Sequence, residues 1–229
     1  MSCTLKYVIF AFLSFTFIKL KIYQIGMDNI KNIVFDLGGV IITLDHERAV
    51  KRFLEIGVDN ARELLDPYHQ KGIFLDLEEG KLSRENFYDA LRKESGKNIS
   101  NENIDYGWFG FLKETPDYKL EMLEQLKKQY NLFLLSNTNP IIMSWARTAD
   151  FSGKGKKLDD YFDKLYLSYE IGITKPNKRI FDYLIADSGI KPEETLFIDD
   201  GVANIEAGKA LGMKTYRPEN GEDFRGIFE

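Results

Sequence analysis

Four places in this 229-residue chain join a short apolar run to residues able to do chemistry. Ile33-Val34-Phe35 runs into Asp36, Gly38 and Gly39. Residues 132–135 run into Ser136 and Asn137, 165–167 lead toward Lys175-Pro176, and 195–198 run into Asp199-Asp200-Gly201. Short runs rich in β-branched and aromatic residues, bounded by turn formers, predict buried strands. In an open α/β sheet, ligands gather at the carboxyl ends of the strands. On one sheet edge these four ends assemble a carboxylate nucleophile, a hydroxyl with an amide, a cation and a carboxylate pair. Crowded carboxylates repel one another and resist burial. A divalent cation relieves that repulsion, and an all-oxygen ligand set suits Mg²⁺. A lysine offsets the remaining charge and holds an anionic group, which is the equipment of phosphoryl transfer through an aspartyl phosphate. Each piece alone has a plainer reading. Asp before Gly-Gly makes a turn, 136–139 can cap the helix opened by Pro140, a lone Lys175 is a surface lysine, and Asp199-Asp200-Gly201 is a turn or an N-cap. The four together favour chemistry.

The elements that must position these groups alternate between helix and strand. Helices are predicted over 117–130, through Leu120, Met122, Leu123 and Leu126, and over 141–147, 177–188 and 205–211. Strands are predicted over 165–167, 195–198 and 213–216. Repeated β-α units imply a five-strand parallel sheet with right-handed crossovers, a Rossmann-like, doubly wound α/β core. Residues 46–115 instead read as four helices (46–56, 59–70, 83–95 and 101–112) without an intervening strand. Ser83 is the expected N-cap of the third. The segment has the form of an inserted four-helix cap domain, and Tyr106, Trp108, Phe109 and Phe111 read as its packed core rather than a ligand box. The expected organisation is therefore an extension over 1–26, a core over 27–45 and 116–229, and a cap over 46–115. Residues 151–157 form a polar, glycine-containing loop whose three lysines are solvated or face an anion.

Composition narrows the function classes. The formal net charge is −5 and no basic run occurs, which argues against a nucleic-acid partner. Cys3 is the one cysteine, so no intrachain disulfide can form, and a reducing, cytoplasmic setting fits. Residues 7–18 are almost wholly apolar but short for a membrane span. They carry only Lys6 ahead of them and no small-x-small site behind. Met27 lies just before the first strand; the preferred reading is a start at Met27 with a non-native piece upstream, and the alternative is a secretion or anchoring segment. No stable membrane association is expected.

Four motifs in order, Phe-Asp-Leu-Gly-Gly-Val at 35–40, Leu-Ser-Asn-Thr-Asn at 135–139, Thr-Lys-Pro at 174–176 and Phe-Ile-Asp-Asp-Gly-Val-Ala-Asn at 197–204, resemble those of the haloacid dehalogenase superfamily. The resemblance covers roughly residues 30–216, in the subclass with a helical cap after the first strand. The wording of the first two motifs is most similar to bacterial α-D-glucose-1-phosphate phosphatases. The resemblance implies a Mg²⁺-dependent phosphatase of small phosphorylated metabolites, sugar phosphates such as glucose 1-phosphate among them. It implies that Asp36 attacks phosphorus and binds Mg²⁺, and that the Gly38 carbonyl is a further metal ligand. Ser136 and the amide of Asn137 would bind phosphoryl oxygens, and Lys175 would neutralise the phosphoryl group and Asp36. Asp200 would ligate Mg²⁺ directly, with Asp199 beside it, directly or through water. Asn204 falls where many relatives place another acid. His46 and His69 match no motif and read as surface or cap residues, with contact to a substrate the minor alternative.

One departure stands out. Most phosphatases of this superfamily carry a second Asp two residues after the nucleophile, as the leaving-group acid and later the base. Here that position is Gly38. Either the substrate has a good leaving group, such as an anomeric oxygen, or a cap residue or water supplies the proton. Three rivals to a phosphatase follow: a metal-independent 2-haloacid dehalogenase, a phosphosugar mutase, which needs the missing acid, and a non-catalytic binding or regulatory module.

Overall fold

In the computed structural model, residues 26–65 and 71–229 are described. The organising element is β1, Asn32–Phe35, whose four residues are all buried. It pairs in parallel with β4, Asn131–Ser136, on one side and with β6, Thr195–Ile198, on the other. A strand flanked by strands and covered on both faces has no solvent side, so its sequence is continuously apolar rather than alternating. With β5, Lys164–Leu167, and β7, Lys214–Tyr216, the sheet has the order β5-β4-β1-β6-β7, all parallel. From β1 the chain winds outward through β4 to β5, then returns to β6 and continues to β7. The connections therefore diverge between β1 and β6, the crevice in which such sheets bind ligands.

Helix α9, Lys178–Ser188, and helix α10, Val202–Ala210, cover one sheet face through Ile180, Phe181, Leu184 and Ile205, packed with Val34, Phe133, Leu135 and Phe197. Phe35, one residue on from Val34, points the other way and meets the ring of Phe162 edge-on at 6.2 Å. Helix α6, Asp117–Leu126, contributes the buried Leu120, Met122, Leu123 and Leu126. The 151–157 loop turns back on α6: Lys154 pairs with Asp117 at 3.1 Å and Lys156 with Glu124 at 2.7 Å. These lysines are occupied by surface acids.

Between β2, Thr43–Leu44, and β3, Leu112–Glu114, lies the helical insert. These two short strands pair antiparallel and bring the two ends of the insert together, a ribbon the sequence reading did not contain. The insert has five helical segments rather than four: α1 His46–Glu55, α2 Ala61–Leu64, α3 Gly72–Glu78, α4 Arg84–Ser95 and α5 Asn101–Trp108. The helix expected over 59–70 is reduced to α2 among the described residues, and α3 appears where no helix had been assigned. Neither has a side-chain N-cap, so neither carries a local start signal. Ser83 does cap α4, accepting from the Asn86 amide at 3.2 Å. The expected 101–112 helix ends at Trp108, and Leu112 joins β3. Rings of Phe53, Phe74, Phe87 and Trp108 pack at centroid separations of 5.1–6.0 Å as the core of the insert, but Tyr106, expected in that core, is 44 % exposed with the Arg52 guanidinium over its ring. That cluster continues onto Ile141 and Ile142 of α7, Pro140–Ala146.

Residues 29–222 form one compact unit, which holds everything above; 223–229 group with 26–28 in another, where Arg225 pairs with Asp223 at 2.6 Å. The segment 1–25, with Cys3, and residues 66–70, with His69, lie outside the described residues. Among the described residues, no helix is long and apolar enough to cross a membrane.

Candidate active site

Asp36 follows directly on β1, and its amide donates to the Ile198 carbonyl at 2.8 Å, which continues the β1–β6 ladder by one residue. Asp199 follows directly on β6, and its amide donates to the Tyr216 carbonyl at 3.2 Å. The two carboxylates are thus carried to the same edge by adjacent strands in register. Ser136 ends β4 beside them, 2 % exposed.

Lys175 enters from the loop after α8, Ser168–Ile171. Its ammonium is buried and has three acceptors: the Leu135 carbonyl at 2.7 Å, Asp36 Oδ1 at 2.9 Å and Asp199 Oδ2 at 2.6 Å. Three protons meet three oxygens, so the cation is fixed in direction as well as in place. Burial works to lower the Lys175 pKa, but Asp199 and Asp36 outweigh it and hold the amine charged, above its ordinary value.

The backbone of Lys175 is held as firmly as its head group. Asn137 Oδ1 accepts from the Lys175 amide at 2.7 Å, and Asn137 Nδ2 donates to the Lys175 carbonyl at 2.9 Å. The sequence reading gave the Asn137 amide to a phosphoryl oxygen; the side-chain amide here is engaged by Lys175. One residue on, the Thr138 amide donates to Ser168 Oγ at 3.0 Å and that hydroxyl donates back to the Thr138 carbonyl. Asn139 is the N-cap of α7, accepting from Ile141 and Ile142, so the capping reading of this motif holds alongside any catalytic one.

Both oxygens of Asp199 are engaged. Oδ1 accepts from the Gly201 amide at 2.8 Å and from Asn204 Nδ2 at 2.9 Å, while Oδ2 takes Lys175. Asn204, where an acid was expected, is a donor that orients this carboxylate. Asp36 differs. Lys175 and the Leu37 amide both bind Oδ1, and among the described residues Oδ2 has no donor. Gly39 lets Asp200 close in: at φ +72° a Cβ there would lie 2.1 Å from Asp200 Oδ2. Only glycine fits both that conformation and that approach. Gly38 bears no positive φ, and its missing Cβ would meet the end of the Leu44 side chain.

One oxygen each of Asp36, Asp199 and Asp200 lies within 4.8 Å of the others. Three carboxylates face one lysine, and Asp36 registers the imbalance. Burial first, then Asp199 and Asp200, push it up to about 7 against the pull of Lys175. Burial and Asp199 likewise raise Asp200. An oxygen-only cluster with surplus negative charge fits a hard divalent cation such as Mg²⁺. His46 is remote from this chemistry, its ring bonded to the Leu65 carbonyl and packed on Phe111 at 5.8 Å. One carboxyl that sequence reasoning passed over belongs to this neighbourhood: Glu78, at the end of α3, interacts electrostatically with Asp36 and Lys175.

Comparison with known proteins gives a consistent picture. The family model for haloacid dehalogenase-like hydrolases matches residues 30–212. A D-ribitol-5-phosphate phosphatase of Bacteroides thetaiotaomicron is 52% identical over 196 residues, covering 86% of this chain and 95% of that protein. A HAD-like hydrolase from Porphyromonas gingivalis superposes with a TM-score of 0.84 at 47% identity, covering 87% and 96% of the two chains. A HAD family enzyme from Bacteroides thetaiotaomicron, solved with magnesium and inorganic phosphate, superposes with a TM-score of 0.80 at 41% identity, covering 87% and 100%.

Proposed function

The chain belongs to the haloacid dehalogenase-like hydrolases, and from that premise we propose that it is a Mg²⁺-dependent phosphatase of a small phosphorylated polyol or sugar, with D-ribitol 5-phosphate the first candidate. The observation that carries this reading is the Lys175 ammonium held between Asp36 at 2.9 Å and Asp199 at 2.6 Å, with Asp200 beside them. The wording of the strand-end motifs alone suggested glucose 1-phosphate. The 52% identical D-ribitol-5-phosphate phosphatase favours a terminal alkyl phosphate instead.

In this reading Asp36 supplies the nucleophile, and its Oδ2, which no donor holds, faces the incoming phosphorus. Lys175 pulls Asp36 toward its ionised form, orients it and offsets charge on the phosphoryl oxygens. Ser136 donates its hydroxyl to one of those oxygens, and the backbone amide of Asn137 to another. Asp199 acts by fixing Lys175 and, through Gly201 and Asn204, the turn that presents Asp200. Asp36, Asp200 and the Gly38 carbonyl would hold Mg²⁺. When bound, it screens the phosphate from the carboxylates and withdraws charge from the phosphoryl oxygens. The helical insert serves as a cap that excludes water during transfer to Asp36.

The test is phosphate release from D-ribitol 5-phosphate, glucose 1-phosphate and glucose 6-phosphate, with Mg²⁺ or with EDTA, for wild type and Asp36→Asn. The reading expects Mg²⁺-dependent release, greatest on D-ribitol 5-phosphate and lost in the variant. Halide release from a 2-haloacid in EDTA would instead establish the dehalogenase. Mg²⁺ binding without turnover of any ester would leave a binding module.

A further inference from the structure

A terminal alkyl phosphate expels the alkoxide of a primary alcohol, a poor leaving group that needs a proton as the P–O bond breaks. Gly38 has no side chain to give one. The helical insert brings a carboxyl near the segment that carries Lys175. Glu78 is the last residue of α3 and is only 8 % exposed, beside the fully buried Phe74 and Leu77. Among the described residues, no hydrogen-bond or ion-pair partner meets its carboxyl. A buried, unpartnered carboxyl is costly and calls for an explanation.

The end of α3 is docked on the segment that leads into Lys175. A Cβ on Gly80 would lie 2.1 Å from the Tyr169 carbonyl oxygen, so the two backbones touch there. Glu79 Oε1 accepts from Thr174 Oγ1 at 3.5 Å, one residue before Lys175. From this anchored turn the Glu78 carboxyl lies within electrostatic range of Asp36 and Lys175, with Glu79 a further charge.

We propose that Glu78 is the proton donor to the leaving oxygen and the later proton acceptor, the role Gly38 leaves open; this rests on the phosphatase reading. As an Asp36 oxygen bonds to phosphorus and the ester P–O bond breaks, the departing oxygen takes the Glu78 proton. The products of this half are the free alcohol, an aspartyl phosphate and a Glu78 carboxylate. Water then attacks phosphorus and gives its proton to that carboxylate. The P–O bond to Asp36 breaks, inorganic phosphate leaves, and both side chains return to their starting states. Burial, then the Asp36 charge, push Glu78 up to about 8.

The experiment compares wild type, Glu78→Gln and Glu78→Asp, all loaded with Mg²⁺, on D-ribitol 5-phosphate and on 4-nitrophenyl phosphate, whose leaving group departs as the anion. Glu78→Gln is expected to lower kcat on D-ribitol 5-phosphate by about a hundredfold or more. With 4-nitrophenyl phosphate it should keep a near-wild-type burst of nitrophenol, followed by a slow steady state as the aspartyl phosphate accumulates. Glu78→Asp, which keeps the carboxyl, should recover part of the loss. An equal fall of burst and kcat on both substrates, or a change in KM alone, overturns the proposal. A wild type inactive on both esters defeats the phosphatase reading, and the proposal with it.

Discussion

Asn137 grips Lys175 by both ends of its peptide unit, accepting from the amide at 2.7 Å and donating to the carbonyl at 2.9 Å. The residue that ends one strand motif thereby sets the position of the cation in another, across 38 residues of chain. Asn137→Ala removes both bonds and leaves the ammonium to find its own place. Misplacement of about an ångström costs roughly a hundredfold in rate when orientation carries catalysis. Steady-state kinetics should show the loss in kcat more than in KM, and circular dichroism an intact fold.

Lys175→Met strands Asp36 and Asp199 in a buried site without their cation. Removing one partner of a buried pair typically costs about 3–5 kcal/mol. Urea unfolding at neutral pH should show a loss of that order in EDTA, and a smaller one with Mg²⁺, which replaces part of the missing charge. Equal losses in the two conditions would contradict the placement of the cation site.

Gly39→Ala sets a methyl group against Asp200 at a backbone φ of +72°. The φ alone is worth about 1–3 kcal/mol of strain, and the displaced carboxylate is a metal ligand in the account above. Calorimetric titration should show Mg²⁺ affinity down by about tenfold or more. Gly38→Ala meets only the movable end of Leu44 and should bind Mg²⁺ nearly as wild type.

The pH dependence of stability has a definite sign. Glu78 is pushed up to about 8 by burial and the Asp36 charge, and Asp36 up to about 7 by burial and its acidic neighbours. In the unfolded chain both return to about 4. Across that window the folded state binds more protons, so the stability present at acid pH is lost as pH rises through the folded values. Thermal melts in EDTA from about pH 5 to about pH 8.5 should fall more steeply for wild type than for Glu78→Gln, which has no proton to lose there. Parallel curves would show that Glu78 does not titrate in this range.

The centre of the sheet was legible because β1, β4 and β6 are buried and read as apolar runs, while the partly exposed edge strands β5 and β7 followed from the β-α alternation. The placement of Asp36, Ser136, Asp199 and Asp200 was legible because each sits at the end of such a run, whereas Lys175 comes from a loop beyond α8. Other features depend on long-range contacts that no local pattern encodes. Leu77-Glu78-Glu79-Gly80-Lys81 carries no helix signal of its own, and nothing local separates Glu78 from Glu79. Docking of that turn against Tyr169 and Thr174 accompanies the burial of Glu78 while Glu79 stays at the margin, paired with Lys81 at 2.6 Å. The β2–β3 ribbon was illegible for a different reason: its strands are two and three residues long and mix polar with apolar positions. The hold of the Asn137 side chain on Lys175 was illegible because that partner arrives from a distant loop.

The central claim is a phosphoryl group carried by Asp36, and the direct measurement is mass spectrometry of enzyme acid-quenched during turnover of D-ribitol 5-phosphate with Mg²⁺. The account predicts a phosphoryl group on the peptide bearing Asp36, present only with Mg²⁺ and enriched in Glu78→Gln when 4-nitrophenyl phosphate is the substrate. Steady phosphate release that persists in Asp36→Asn, with no phosphorylated Asp36 peptide in wild type, would contradict it.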